Sequence, residues 1–490
     1  MRISINGQAV EAAAGSTVAA AVAACGVPTR RSVTGEGRGP LCGMGICFEC
    51  RVTINGRPHQ RSCQIAVAEG MEIATAVNSE PWTVDSGGGD VRECEVLVVG
   101  AGPAGLAAAR AASGAGLRVT LVDDNLAAGG QIWRGTNPEV AGGVELLTRT
   151  RVVDAPERGV LRASTAAAWC DLRYRTLILA TGARERFLPF PGWTLPQVMG
   201  AGGLQAMAKG GLPIAGKRVV VAGTGPLLVA VAAWLRQHGA KIVAVCDQTP
   251  WAAQMRFLAR LPWAKVRQGV GLAAALRGVP MWMSSWPIAA APGEVTIRRA
   301  GRGTRRLGCD YLACGFHLVP NIELAQLLGC ATQNGCVVVN ERQETTVEGV
   351  YCAGEPTGIG GVELAEIEGE IAGLAAAGRS DGGLASRREA YRGFAARLEA
   401  LCTLRPELRE LADAETMVCR CEDVSRGRLA VHGDWRSAKL HTRAGMGACQ
   451  GRVCAAACET LFGWTPPVPR PPLAPVGVGV VAGGGVDGLR

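Results

Sequence analysis

"CEVLVVGAGPAGLAAARAASGAGLRVTLVDD", residues 94–124, decides the fold. It reads as an apolar strand, a glycine-rich turn, an alanine-rich helix and a second strand that ends in acid. Gly100, Gly102 and Gly105 form G-x-G-x-x-G, with Pro103 and Ala104 opening the helix. The first glycine allows a tight turn, the second lets backbone approach a pyrophosphate, and the third lets helix and strand pack closely. A pyrophosphate there sits at a helix N-terminus, where free N–H groups and the dipole favour anions. Asp123, 18 residues past Gly105, ends the second strand in a position to bind ribose hydroxyls, with Asp124 as its competitor. The glycine pattern alone is weak, and with strand, helix and acid in register it predicts a Rossmann unit.

Three further pieces follow in order. "AAGGQIWR" at 127–134 puts paired glycines, Gly130 among them, and the polar Gln131 just after the acidic strand. "TLILATGARE" at 176–185 is a strand that ends in Ala180, Thr181 and Gly182. "VEGVYCAGEPTGIGGVELAEIEGEIAG" at 347–373 is a strand, then Gly354-Glu355, then a glycine-rich approach through Gly361 to another helix. Pieces of this kind in this order resemble the two-dinucleotide-binding-domain flavoproteins, the glutathione-reductase-like superfamily. The resemblance implies FAD in the first unit, with Val152 and the residues just named among its contacts. It also puts Gly354-Glu355 where the superfamily has Gly-Asp near the flavin ribityl chain.

A second strand-turn-helix, "KRVVVAGTGPLLVAVAAWLRQHGAKIVAVCD" at 217–247, lies nested inside the first. Gly223 and Gly225 match the fingerprint and Asp247 ends the second strand, but the third glycine position is Leu228. In the superfamily this unit takes NAD(P)H. A leucine at the close-packing position is expected to push helix from strand or to require compensation, so a retained fold with altered or no nicotinamide binding is the competing reading. The unit has no C-x-x-C, which disfavours a thioredoxin-reductase dithiol, and Cys309 and Cys314 read as buried hydrophobes.

Four thiols stand in the first seventy residues. "CGMGICFEC" at 42–50 and Cys63 give Cys42-x4-Cys47-x2-Cys50-x12-Cys63, the plant-type spacing that holds a [2Fe–2S] cluster. Structural zinc, the bland alternative, more often uses two short ligand pairs separated by a long gap. Near the C-terminus "MVCRCEDVSRGRL" supplies Cys419 and Cys421, and "TRAGMGACQGRVC" supplies Cys449 and Cys454. The pattern C-x-C-x27-C-x4-C resembles the small helical [2Fe–2S] domain of bacterioferritin-associated ferredoxin. Cys458 is an alternative fourth ligand, and thiolate zinc is the rival occupant.

Composition bounds the rest. The net charge of +9 over 490 residues forms no basic run, which argues against nucleic-acid binding. Hydrophobic residues are 48% and charged residues 19%, with 68 glycines, as suits an Ala/Gly-rich α/β enzyme. No apolar run reaches the length of a membrane span. "TVAAAVAACGV" near the start follows a strand-like "RISING" and reads as a helix rather than a signal peptide. Nineteen cysteines in a chain of this size point to a reducing cytoplasm, with peripheral attachment at the inner membrane as a secondary expectation.

The expected organisation is α/β: a β-grasp ferredoxin domain over 1–85, then an FAD-binding domain of the glutathione-reductase-like kind over 92–400 with its nested Rossmann unit at about 200–315. A small helical [2Fe–2S] domain over 401–465 and a Pro/Gly-rich tail over 466–490, packed as an extended arm or disordered, complete it. "PGWTLPQVMGAGGLQ", "GTGPLLVAVAAWL", "CRCEDVS" and "TRAGMGACQGRVC" further resemble the α subunits of bacterial flavin-dependent amino-acid and opine dehydrogenases over about residues 90–465. The group includes octopine and nopaline oxidases, D-hydroxyproline dehydrogenase and hydrogen cyanide synthase. The ferredoxin part resembles the small third subunit of such complexes, so the chain looks like a fusion. "TRTRVV" follows "GGQIWR" sooner than in the family, so loops near the flavin are expected to differ.

FAD accepts two electrons together and a [2Fe–2S] centre passes one, so one flavin with two clusters makes a converter from hydride to single electrons. None of His59, His238, His317, His432 and His441 sits in a recognisable acid/base constellation, and no catalytic base is assigned. The resemblance implies an electron-transfer subunit whose partner, a D-amino-acid-oxidase- or sarcosine-oxidase-like β subunit, oxidises an amino acid, imino acid or opine at its own FAD. It also implies an FMN at the subunit interface. A structural ATP or NAD in the nested unit is a further expectation, and the downstream acceptor is not legible. The alternative is a self-contained NAD(P)H-dependent reductase that feeds its own clusters.

Overall fold

The computed structural model describes residues 1–75, 89–136, 138–165 and 168–482. The expected junction between ferredoxin and FAD domains, at 85–92, falls partly on 76–88, outside the described residues, as do 483–490. Two compact units divide the chain. One comprises Met1–Glu80, Glu185–Leu318 and Leu398–Pro467, and the other Pro81–Arg184, Val319–Arg397 and Val468–Arg490. The ferredoxin segment, the nested Rossmann unit and the C-terminal cysteine segment thus share one unit.

In that unit the N-terminal sheet runs Gln8–Glu11, Arg2–Ile5, Glu72–Ala74, Arg51–Ile54, Arg57–Arg61. The helix Val18–Ala24 buries its Val18–Val22 stretch and is capped by Thr17, whose hydroxyl accepts from Ala20 N at 3.3 Å. This is the β-grasp arrangement, and "TVAAAVAACGV" is its helix. The nested sheet runs Val198–Met199, Tyr311–Phe316, Arg218–Thr224, Lys241–Asp247, Met281–Met283, all parallel. Leu228 does not strain it: the side chain is 1% exposed among Val219, Val221, Val231 and Leu235. The C-terminal segment is a short hairpin, Met417–Cys419 with Val424–Ser425, followed by helices Arg426–Ala430, Trp435–Thr442 and Cys454–Phe462.

The other unit is a seven-stranded sheet built on Asp90–Val99, which pairs in parallel with Val119–Val122 on one side and Trp169–Leu179 on the other. Trp169–Leu179 changes partners along its length. Its first half pairs antiparallel with Val160–Ser164, and its last residues pair in parallel with Val350–Cys352. The helix Pro103–Gly114 lies against Val362–Ala376 at backbone contact, because a Cβ on Gly369 would strike Ala104 O and one on Gly373 would strike Ala108 O. The described part of the tail packs through Leu473, whose N donates to Val153 O at 2.7 Å, and carries the short helix Val478–Ala482. Among the described residues no helix is long and apolar enough to cross a membrane.

Candidate electron-transfer site

The first glycine-rich turn is shaped by what cannot fit there. A Cβ on Gly100, at φ +108°, would meet Ala180 O, and one on Gly105 would meet Gly100 O. Only hydrogen is tolerated at either, so the helix N-terminus is drawn down onto the strand end. Gly102 is the opposite case, since a Cβ there meets nothing within 4 Å. That open space at the helix start is the cradle a pyrophosphate needs. Gly129 N donates to Ala101 O at 2.7 Å and brings Gly130 against Gly102. Beside it, Gln131 Oε1 is buried without a hydrogen-bond partner, an acceptor that fits a ligand's hydroxyl or amide.

Asp123 is spent largely inside the fold. Its Oδ2 accepts from Ala101 N at 2.6 Å and its Oδ1 from Asn125 N at 2.7 Å, while burial pushes its carboxyl above the usual range. Asp124 is paired with Arg151 at 2.6 Å. Ala180, Thr181 and Gly182 follow directly on the strand Trp169–Leu179, with Thr181 Oγ1 donating to Asn321 O at 2.6 Å. Val152 is half-buried on the strand Arg151–Glu157. Gly354 N donates to Glu368 Oε2 at 3.0 Å, and Glu355 Oε1 accepts from Gly361 N at 3.1 Å. Burial pushes Glu355 up to about 7. The residues present fit FAD, with an open cradle, an orphaned acceptor and a flanking Gly-Glu.

The nested turn repeats the backbone and not the opening. Asp247 accepts from Gly225 N at 3.2 Å and from Thr249 N at 2.8 Å, as Asp123 does in the first unit. A Cβ on Gly223 would strike Gly315 O. Yet a Cβ on Gly225 would stand 2.8 Å from Cys402 Sγ. The segment carrying Cys402 is fixed there, because Gln248 Nε2 donates to Thr403 O at 2.9 Å and Arg405 N donates to Gln248 Oε1 at 3.0 Å. Where the first turn is open, the second is covered by protein. Sequence reading missed this, because nothing local to Gly225 announces a residue so distant in the chain.

The thiols come in twos. Cys42 Sγ lies 3.2 Å from Cys47 Sγ, and Cys50 Sγ 3.2 Å from Cys63 Sγ. All four are buried. Burial would push these thiols up, but the hydrogen bonds from Cys47 and Met44 N hold Cys42 below the usual thiol range. In the C-terminal segment Cys419 is hydrogen-bonded with Cys454 and Cys421 with Cys449. Cys458 is buried outside these pairs, and burial pushes its thiol up. Among the described residues no three His, Cys, Asp or Glu converge as a single metal ion requires. Paired thiols are what a binuclear centre with two ligands per iron uses. Between the thiols of the two sets, Glu49 and Arg420 are both 1% exposed and lie 3.6 Å apart, a pairing the sequence reading did not anticipate.

His317 is buried at φ 72°, with Nε2 2.8 Å from Glu399 Oε2. Cys309 and Cys314 are buried, as expected of small hydrophobes.

Comparison with known proteins places this geometry. Residues 94–369 match the pyridine nucleotide-disulphide oxidoreductase family, and residues 1–78 match the 2Fe-2S iron-sulfur cluster binding domain. The chain is 32% identical to hydrogen cyanide synthase subunit HcnB of Pseudomonas aeruginosa, over 74% of this chain and 91% of that one. It is also 32% identical to an opine oxidase subunit of Agrobacterium tumefaciens, over 74% and 84%. Its N-terminal part alone is 46% identical to the separate subunit HcnA of Pseudomonas aeruginosa, over 16% of this chain and 76% of that protein. The L-proline dehydrogenase structure from P. horikoshii has the same fold, with a TM-score of 0.70 at 18% identity over 98% of this chain and 97% of that one. The chain is an oxidoreductase of FAD and a [2Fe–2S] cluster, and it belongs to the pyridine nucleotide-disulphide oxidoreductase family, together with these subunits of hydrogen cyanide synthase and opine oxidase.

Proposed function

We propose that this chain is the electron-transfer subunit of a multi-subunit dehydrogenase whose partner, a D-amino-acid-oxidase- or sarcosine-oxidase-like flavoprotein, oxidises an amino acid, imino acid or opine. The observation that carries the reading is the contrast between the two glycine-rich turns, open at Gly102 and covered by Cys402 at Gly225. A nicotinamide dinucleotide laid on the second turn would meet Cys402 Sγ where its pyrophosphate must approach backbone. The chain then lacks its own hydride source, and electrons must come from elsewhere. The relatives named above are subunits of larger enzymes, which supports a partner as that source.

In this reading FAD takes up an electron pair and the iron–sulfur centres carry electrons singly. The turn Gly100–Gly105 and Gly130 hold the pyrophosphate, Gln131 Oε1 accepts from the cofactor, and Asp123 keeps the turn closed on Ala101 N. Cys42, Cys47, Cys50 and Cys63 hold the first cluster, with Met44 and Cys47 N–H donors offsetting charge on Cys42 sulfur. Cys419, Cys421, Cys449 and Cys454 hold a second [2Fe–2S] cluster. An FMN at the interface with the partner belongs to the same reading. A structural ATP or NAD in the nested unit would keep its phosphates off Gly225. Nineteen cysteines, none of them in a disulfide, suit a cytoplasmic enzyme, and peripheral attachment to the inner membrane is compatible with it.

Stopped-flow reduction of the purified chain tests this. NADH and NADPH are expected to bleach its flavin slower than ordinary turnover, roughly 1–1000 per second. The chain alone is expected to oxidise no amino acid, and adding the partner flavoprotein restores dye-linked dehydrogenation. Rapid bleaching by either nucleotide would instead establish a self-contained reductase.

A further inference from the structure

The residues between the cysteines of the two thiol sets face each other. Glu49 stands between Cys47 and Cys50, and Arg420 between Cys419 and Cys421. Glu49 Oε1 lies 3.6 Å from Arg420 Nε and 2.9 Å from Arg30 Nη2. The same Arg30 nitrogen donates to Arg420 O at 2.9 Å, so one guanidinium holds both loops. Arg420 Nη1 donates to Trp193 O at 2.9 Å, and its guanidinium lies 5.0 Å from the Trp193 ring centroid. A second tie runs alongside: Arg38 Nη2 is 2.9 Å from Asp423 Oδ1, and Thr34 N and Oγ1 donate to Asp423 Oδ2 at 2.9 and 2.8 Å. Arg38, Glu49 and Arg420 are each 1% exposed.

Buried ion pairs are poor stabilisers, because desolvation offsets the attraction, and they persist where they fix geometry or serve a charge. Here the charges are also incompletely matched. Arg30 Nε, Arg38 Nε, Arg420 Nε and Glu49 Oε2 are all buried without hydrogen-bond partners. Three guanidiniums face two buried carboxylates, with Glu36 reaching Arg38 only from the surface. An anionic centre at each set of thiolates supplies the missing negative charge. Two ferric irons, two sulfides and four thiolates sum to two negative charges, and one added electron makes three.

We propose that Glu49 and Arg420, joined by Arg30, are positioning residues that lock the two thiolate sites together and set both reduction potentials, so that single electrons pass directly between them. The step balances simply. One electron leaves an iron of the reduced centre and enters an iron of the oxidised one, no bond breaks, and no proton is required. Glu49, buried between the sites, opposes added negative charge at either, and Arg420 favours it. This inference rests on the two-cluster reading above.

The test uses the full chain, purified anaerobically. Fully reduced with dithionite, it is expected to show paramagnetic signals broadened by mutual interaction and relaxing faster than the single signal of Cys47→Ser. Potentiometric titration of Glu49→Gln should move both midpoints upward with iron content unchanged, and Arg420→Met should move both downward. Four irons per chain with strictly additive signals, or a Glu49→Gln shift confined to one midpoint, overturns the joint. Two irons and one signal overturns the two-cluster reading, and the joint with it. The wild-type spectrum decides even where a variant does not fold.

Discussion

Cys402 and Gly225 share a space that only one of them can widen: a Cβ on Gly225 would stand 2.8 Å from Cys402 Sγ. Gly225 is also held at φ +90°, where a branched side chain is strained. Its counterpart Gly102 has open space and an ordinary extended conformation. The two glycines occupy the same place in the same motif, and the surroundings give them different work.

Valine substitution separates these roles. Gly102→Val puts its side chain into the open cradle, and purified protein is expected to lose most of its FAD while its melting temperature changes modestly. Gly225→Val meets Cys402 and the positive φ together, so the melting temperature should fall by several degrees, for a cost on the order of 2 kcal/mol. Its FAD per folded chain should stay near wild type. Flavin absorbance against protein concentration reads the first effect and calorimetry the second. Equal flavin loss in both would mean that the first turn is not where FAD binds.

A pH effect follows from Glu185, which is 4% exposed and accepts from Gly202 N at 2.9 Å and Gly203 N at 3.1 Å. Burial pushes its carboxyl from 4.5 up to about 7, against the pull of those N–H groups. A raised carboxyl keeps its proton in the folded chain while the unfolded chain has already lost it. Stability therefore falls as pH rises from 4.5 to 7 and levels off above, by a total on the order of 3 kcal/mol from linkage. Glu185→Gln carries a pH-independent change in hydrogen bonding but not this slope. The difference in melting temperature between variant and wild type should grow in the variant's favour between pH 5.5 and 7, then flatten. A difference that is constant with pH would show that Glu185 is ionised alike in both states.

The sequence made the cofactor chemistry legible where chemistry demands a residue type at a fixed offset. Gly100 and Gly105 must lack a Cβ, and four thiols must reach one cluster, so spacing alone carried the first Rossmann unit and the ferredoxin loop. Leu228 is the compensated case, its side chain buried in the core of the nested unit. Contacts between distant segments stayed hidden. Arg30 reaches Arg420 across 390 residues, and Cys402 reaches a turn far upstream of it. No periodicity or motif encodes either, although opposite charges in the two inter-cysteine positions, Glu49 and Arg420, were visible once the loops were known to meet.

Cys454 and Cys458, neighbours on one helix, are the two candidates for a fourth C-terminal ligand. Cys454 is hydrogen-bonded with Cys419, and Cys458, one turn further along, is a buried thiol outside the pairs. A ligand must stand beside the other sulfurs that bind the cluster, whereas a buried thiol outside the pairs packs as a small hydrophobe. Cys454→Ser should therefore lower iron from about four per chain to about two and remove one paramagnetic signal on reduction. Cys458→Ser should keep both signals and lose only stability, because a hydroxyl is buried there in place of sulfur. Iron analysis with low-temperature electron paramagnetic resonance on both variants makes the comparison. Loss of a signal in Cys458→Ser with retention in Cys454→Ser would transfer the ligand role to Cys458, and zinc in place of iron in the C-terminal site would remove the second cluster from the relay.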